Sequence, residues 1–432
     1  MLDRRTLLLG AAVVAAGSAL HGVSYAQEDD DDAALDEIQA HLEALGNSGV
    51  DTVGPVKFVA PDRSEITHEA VSSSRSVPQL SAELIATIKQ RKYWEVPENE
   101  RPISAWPTTS RSPDYAHLDV FQLPNANFTL TADLLRLLAG RNAFALDTSR
   151  PVVIFGLRGC RIADGQSEHD WAAAHELEVI SPSHVDSNCV LGVWRLADNQ
   201  LSVFRASTIP AVKYMYMDLA TGGYGTSLLP TGLYRYAAGT HMANKPGSIQ
   251  RGALRIAGDY VVLRTANTLE YDAHAETTFW TRGAYHNIHA GGGASKFSCA
   301  GCQVMPGGYE LEGRTKSTGT WRKFQLASGL LDAAGNYLAA DATPSFLYML
   351  LTGREAALGY TGGGAFDNGY FRLRPGSTGP DVKDIQERLI AAYPGRVAAL
   401  EADRSFGMLT SLAALLESKM QSGNHTSPIV AL

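Results

Sequence analysis

Four cysteines in 432 residues, at 160, 189, 299 and 302, are too few to staple a chain of this length. A disulfide-built scaffold is therefore excluded, and each thiol has to be read by itself. Positive charge is also short: 37 Lys and Arg against 45 Asp and Glu leave a formal net charge of −8. With no basic cluster to offset it locally, this is the reverse of a nucleic-acid footprint, and no nucleic-acid partner is expected. Beyond the N-terminus no stretch is long and apolar enough to cross a bilayer, so no stable membrane insertion is expected either. Hydrophobic content of 45% with 19% charged residues excludes fibrous and wholly disordered classes, and the length exceeds what one core usually organises. A multidomain globular protein is expected.

What is present begins with a targeting pattern. Asp3-Arg4-Arg5-Thr6-Leu7-Leu8 opens an apolar stretch to Leu20, and Ser24-Tyr25-Ala26 supplies small residues for cleavage. Residues 1–26 thus read as an export signal that resembles the twin-arginine type, and the mature protein is expected in the periplasm or cell wall. Residues 27–80, with acidic Glu28 to Asp32 and Ser72-Ser73-Ser74, read as a flexible tether. Residues 81–150 read as a small helical and irregular module. Ser81 caps one helix there, and Thr131 caps another that ends at Gly140 with Leu134, Leu135, Leu137 and Leu138 as its apolar face.

From 151 to 360 the texture becomes β. Strands are expected at Val152 to Leu157, Val190 to Leu196, Leu201 to Phe204, Leu233 to Tyr236 and Tyr260 to Leu263. Gly362-Gly363-Gly364 then makes a joint to an independent unit at 366–425. In that unit Leu373-Arg374-Pro375-Gly376-Ser377-Thr378-Gly379 is a turn-rich lead-in, Val382, Ile385, Gln386 and Leu389 repeat at helical spacing, and Asp403-Arg404-Ser405-Phe406-Gly407 turns into a helix from Thr410. The pattern resembles the three-helix peptidoglycan-binding domain, although Arg404 stands where that family often has Gly. The resemblance implies a three-helix bundle and peptidoglycan as partner.

The chemistry concentrates in Tyr285-His286-Asn287-Ile288-His289-Ala290, a glycine-rich loop, and Cys299-Ala300-Gly301-Cys302-Gln303-Val304. Nucleophilic thiol chemistry needs a thiolate, and an imidazole nearby can take the proton and return it to a leaving group. Small Ala300 and Gly301 let backbone N–H groups approach a substrate carbonyl. These residues resemble the catalytic domain of the L,D-transpeptidases, the YkuD-like family, in which I-H-G on one strand precedes S-x-G-C at another. Asn199-Gln200-Leu201-Ser202-Val203-Phe204 resembles that family's first hairpin, and Leu229-Pro230-Thr231-Gly232-Leu233-Tyr234 its T-P-T-G-x-F turn.

The resemblance implies a mainly-β catalytic domain in which Cys302 is the nucleophile, His289 the base and Gly301 part of the oxyanion loop. It needs no cofactor or metal, and it acts on peptidoglycan stem peptides through a thioester. Cys299 replaces the usual Ser, and Val304 an Arg associated with substrate holding. Ala300, Arg282 and Lys296 are the candidate substrate contacts.

Other readings stay open. His286, His289, Cys299 and Cys302 also form H-x-x-H and C-x-x-C pairs that can hold zinc, and the two cysteines can form a disulfide. Hydrolysis without transfer, or wall binding without catalysis, are the alternative functions. His286 is expected to face solvent, Tyr285 and Asn287 carry no role, and Cys160 and Cys189 are core residues or a structural pair.

Overall fold

The computed structural model describes Trp106, 112–114 and 127–431, except 166–167, 222–225, 244–246, 248, 266–268, 270, 274–277, 284, 292–298, 311–313, 315, 339–343, 363–371 and 423–426. The expected export signal, the tether, the Ser81-capped helix and Lys296 lie outside the described residues. The chain divides into two compact units. The smaller takes in Met242–Ile249, where Met242 turns the chain at φ 56°. Everything below concerns the larger, Val50–His241 with Gln250–Leu432.

The described residues are mainly β, with one large sheet, smaller ribbons and six α-helices. Eight strands form the large sheet: β1 (Val152–Arg158), β2 (Cys189–Arg195), β3 (Gln200–Ala206), β4 (Gly232–His241), β5 (Gln250–Ala257), β6 (Ile288–Ala290), β7 (Gln303–Met305) and β8 (Ser345–Thr352). Their order is β7-β6-β5-β4-β8-β1-β2-β3, and only the β6–β7 and β8–β1 pairs are parallel. The edges do not stay open. Ser207, next after β3, bridges Val304 in β7 by two backbone hydrogen bonds of 2.8 and 2.9 Å. The sheet thus closes on itself at one point, removing part of the unpaired edge that a strand otherwise presents.

Every one of the eight strands sends side chains into one core: Ile154, Val193, Phe204, Tyr236, Leu254, Ile288, Met305 and Tyr348 meet Trp321 and Phe324 of a helix at Gly319–Ser328. The alternate residues of β1, β2 and β8, among them Val153, Phe155, Trp194 and Met349, face a second core. With both faces covered, β1 reads as an unbroken apolar run rather than an alternation.

That second core is covered by helix α1 (Ala132–Arg141). Thr131 caps it as expected, its Oγ1 accepting from Leu134 N at 3.2 Å. Its buried face is Leu134, Leu135, Leu138 and Ala139, a stripe that leaves Leu137 39% exposed.

The C-terminal segment has two helices among the described residues, α2 (Pro380–Ala392) and α3 (Met408–Ser422), with turns from Tyr393 to Gly407. Val382, Ile385, Gln386 and Leu389 are all buried, so the helical repeat is a core face. Gln386 binds the turn that follows: its Nε2 donates to Asp403 Oδ1 (2.8 Å), Ser405 O and Thr410 Oγ1 (both 3.0 Å), and its Oε1 accepts from Arg404 N (3.0 Å). Arg404 has φ 67°, the left-handed conformation that glycine adopts most readily.

The expected independence of this segment does not survive its contacts. Arg374, fully buried, pairs with buried Glu355 at 2.5 Å and donates to Thr231 Oγ1 at 2.7 Å. Glu355 also caps the helix Gly353–Thr361 by accepting from Thr352 N and Oγ1. Gly376, at φ +90°, lies so close to Leu233 that an added Cβ would stand 2.2 Å from its carbonyl oxygen. At the other side Leu412 and Leu415 of α3 join a core with Val261, Leu263 and Trp280. The glycine joint suggested a tether; the buried ion pair makes the segment part of the same body.

Removing one partner of a buried pair strands the other charge, at a cost of about 3–5 kcal/mol. Arg374→Ala is expected to lower unfolding stability by that order and to shift the urea midpoint down. A wild-type midpoint in Arg374→Ala would refute the role given to the pair.

Candidate active site

The site forms where the sheet closes. His289 lies in β6 and is in register with Val304 of β7, and Cys302 immediately precedes that strand. Alternation sends Ile288, Ala290 and Met305 into the inner core. His289 and Val304 therefore face the other way, where Val304 packs with Ala211, Cys299 and Cys302. Gln303 points inward between them and is satisfied by Tyr348, whose OH donates to Gln303 Oε1 at 3.3 Å.

His289, Cys299 and Cys302 are brought together: their imidazole nitrogen and two sulfurs lie within 4.8 Å of one another. His289 and Cys299 are buried and Cys302 is half-buried. His289 Nδ1 lies 2.8 Å from Ala290 O. A carbonyl only accepts, so Nδ1 carries the proton and Nε2 is the acceptor nitrogen of the ring. This backbone carbonyl helps to orient the imidazole.

The ring of His289 is further fixed by His241 at the end of β4, stacked on it with centroids 4.2 Å apart and planes 13° from parallel. His241 Nδ1 in turn meets Asn287 Nδ2 at 3.1 Å. Burial, then the neighbouring His289, holds His241 well below the ordinary histidine value, so it stays neutral. Neither His241 nor the role of Asn287 was legible in the sequence, since only the end of β4 and its neighbour strands bring them here.

Cys302 is not poised as a thiolate. Its Sγ donates to Tyr285 O at 3.0 Å, and that carbonyl is aimed by a backbone with φ 57° at Tyr285, an uncommon conformation for a bulky residue. The neighbouring Cys299 thiol and burial push the Cys302 thiol well above its ordinary value, and His289 opposes them.

Cys299 supports the loop from both sides: its Sγ donates to Cys302 O (3.2 Å) and accepts from Gly301 N (3.1 Å). The Gly301 N–H is therefore engaged, whereas among the described residues no hydrogen bond takes up the Cys302 N–H.

His286 is buried, not solvent-facing. It precedes the strand, so strand alternation does not govern it. Its Nδ1 meets Tyr260 OH (3.1 Å), its Nε2 meets Ser227 Oγ (3.0 Å), its N–H donates to Tyr260 OH (3.2 Å) and its carbonyl accepts from Tyr236 OH (2.6 Å). It forms the wall behind the thiol loop. A Cβ on Gly301 would stand 2.7 Å from Ser227 O and 2.9 Å from His286 Nε2, and Ala300 O accepts from Ser227 N at 2.8 Å.

Arg282 is not brought to this group. It ends a separate ribbon, Thr278–Arg282 paired with Val261–Thr265, and forms an exposed ion pair with Asp259. Cys160 and Cys189 are buried and free, which makes them core residues. Comparison with protein-family models, curated proteins and solved structures yields no match.

Two outcomes follow from this geometry. Alkylation of Cys302 by iodoacetamide, followed by mass spectrometry, should rise with pH through a value above the ordinary thiol, because the thiolate is what reacts. Cys299→Ala removes the first cause of that elevation, so the inflection should move down; an unmoved inflection would assign the elevation elsewhere. Gly301→Ala should cost about 1–3 kcal/mol through overpacking against Ser227 and His286, read as a lower melting temperature.

Proposed function

We propose that the chain is a peptidoglycan-remodelling acyl transferase that uses Cys302 as its nucleophile, of the L,D-transpeptidase-like, YkuD-like kind. The observation that carries this reading is the meeting of Cys302 with His289 whose Nδ1 is tied to Ala290 O. That arrangement sets an imidazole with one acceptor nitrogen beside the Cys302 thiol, and acyl transfer through a thioester requires such a pair.

In this mechanism the Cys302 thiol leaves Tyr285 O and gives its proton to His289 Nε2. The sulfur attacks the carbonyl of a diaminopimelate residue in a stem peptide, and the Cys302 N–H donates to the developing oxyanion. His289 returns the proton to the departing D-alanine amine. An amine of a second stem then attacks the thioester, giving its proton to His289; the C–S bond breaks, the amide crosslink forms, and the Cys302 sulfur recovers that proton from His289. The stacked, neutral His241 keeps the base in place throughout.

The C-terminal segment fits wall binding, and an N-terminal export signal would deliver the protein to the periplasm or cell wall. Hydrolysis of the thioester, giving shortened stems, is the second reading. It is favoured by one observation: Val304, where the related pattern carries a substrate-holding Arg, is fully buried at the seam.

Mass spectrometry of purified wall incubated with the protein separates the two. New crosslinks indicate transfer, shortened stems indicate hydrolysis, and an unchanged wall defeats both. Intact-mass measurement after exposure to a carbapenem should show one adduct that disappears in Cys302→Ala. His289→Ala should form it more slowly by about two to four orders of magnitude. An adduct that persists in Cys302→Ala would remove the assigned nucleophile.

A further inference from the structure

We infer that Cys299, Cys302 and His289 together form a three-donor site for a soft divalent cation of the Zn²⁺ type, and that its occupancy excludes acyl transfer. The binding half stands on the geometry alone; the exclusion rests on the acyl-transfer reading above.

The donor set is two thiols and one imidazole, the chemistry that selects zinc over hard cations. In a tetrahedral zinc site two such donors stand about 3.6–3.8 Å apart, from bond lengths near 2.3 Å to sulfur and 2.0–2.1 Å to nitrogen. The three atoms already lie within 4.8 Å of one another, so side-chain rotation of about an ångström brings them to a common ion.

The surroundings are those of a ligand shell. Metal-bound imidazoles have their other nitrogen tied to a carbonyl or carboxylate, and His289 Nδ1 is tied to Ala290 O at 2.8 Å. Within the Cys299-x-x-Cys302 turn, the Gly301 amide donates to Cys299 Sγ at 3.1 Å, a bond that grows stronger once the sulfur is a thiolate. Cys299 and His289 are buried while Cys302 is half-buried. Three protein donors leave a fourth tetrahedral position, which water or an anion can fill.

Binding displaces the two thiol protons that now go to Cys302 O and Tyr285 O. It then engages the lone pairs of both the nucleophile and the base. The second thiol also acquires a reason to be here, because acyl transfer by itself needs only one.

The test uses the reduced, metal-stripped full-length protein. Titration with Zn²⁺ by calorimetry should give one ion per chain, and Co²⁺ in its place should give a sulfur-to-cobalt charge-transfer band in the near ultraviolet. Cys299→Ser, a conservative change at the loop, should weaken Zn²⁺ binding by at least about 100-fold, since loss of an outer partner alone costs 10–100-fold. Circular dichroism of that variant checks that the fold is kept. Absence of stoichiometric Zn²⁺ binding to the wild type, or a wild-type affinity in both Cys299→Ser and His289→Ala, would overturn the site.

Carbapenem acylation of the wild type is followed in parallel, with a chelator and with saturating Zn²⁺. Acylation in chelator that stops in Zn²⁺ supports the exclusion. Acylation that continues at full Zn²⁺ occupancy overturns it. Zn²⁺ bound through all three residues with no acylation under any condition would leave the site standing and sink the acyl-transfer reading instead.

Discussion

The two hydrogen bonds between Ser207 and Val304 join the two edges of the large sheet, and the arrangement of His289, Cys299 and Cys302 depends on that join. Strands β6 and β7 have three residues each and do not hold a register alone. Their place is fixed by β5 on one side, through Ile288 opposite Leu254, and by the seam on the other. With the seam made, His289 and Val304 are held outward while Ile288, Ala290 and Met305 are anchored in a core built by all eight strands. A one-residue slip of β7 would send Val304 inward and carry Cys302 away from the imidazole.

Behind the seam a layer of buried polar groups does for the loop what apolar packing does for the strands. Ser227, Tyr236 and Tyr260 hold His286, and Asn287 meets His241. Each of these contacts replaces hydration that burial removes, so the network is rigid because its members are satisfied. That rigidity is needed next to Cys302, whose own backbone lies in a loop.

Much of the sheet was legible because its strands are apolar and bounded by turns: the expected Val152 to Leu157 and Leu201 to Phe204 fall inside β1 and β3. The pairing of Cys302 with His289 was legible from the order of short motifs. What was not legible depends on long-range neighbours. His286 reads as solvent-facing if strand alternation is extended back from His289, but the strand begins only at Ile288. His241 carries no local signal, as its importance comes from a strand end meeting a different strand. Arg282 looked available because its partner, Asp259, is recognisable only once the ribbon pairs Arg282 with Val261. Arg374 sat in a turn-rich stretch that reads as surface, and only its contacts with Glu355 and Thr231 reveal it as buried.

Glu355 is shared: the same carboxylate closes the first turn of its own helix and neutralises Arg374. During synthesis Glu355 and Thr231 leave the ribosome before Arg374 does, so for that interval the carboxylate has its helix to cap but no cation beside it. A charge of this kind resists being buried until its partner arrives. The emerging chain can therefore build the sheet from its early strands, but the surface around Glu355 and Thr231 seals only after residue 374 has emerged. A chain that ended between Cys302 and Arg374, but beyond Glu355, would then carry His289 and both thiols of the cluster together with a water-seeking carboxylate at the heart of its unsealed side.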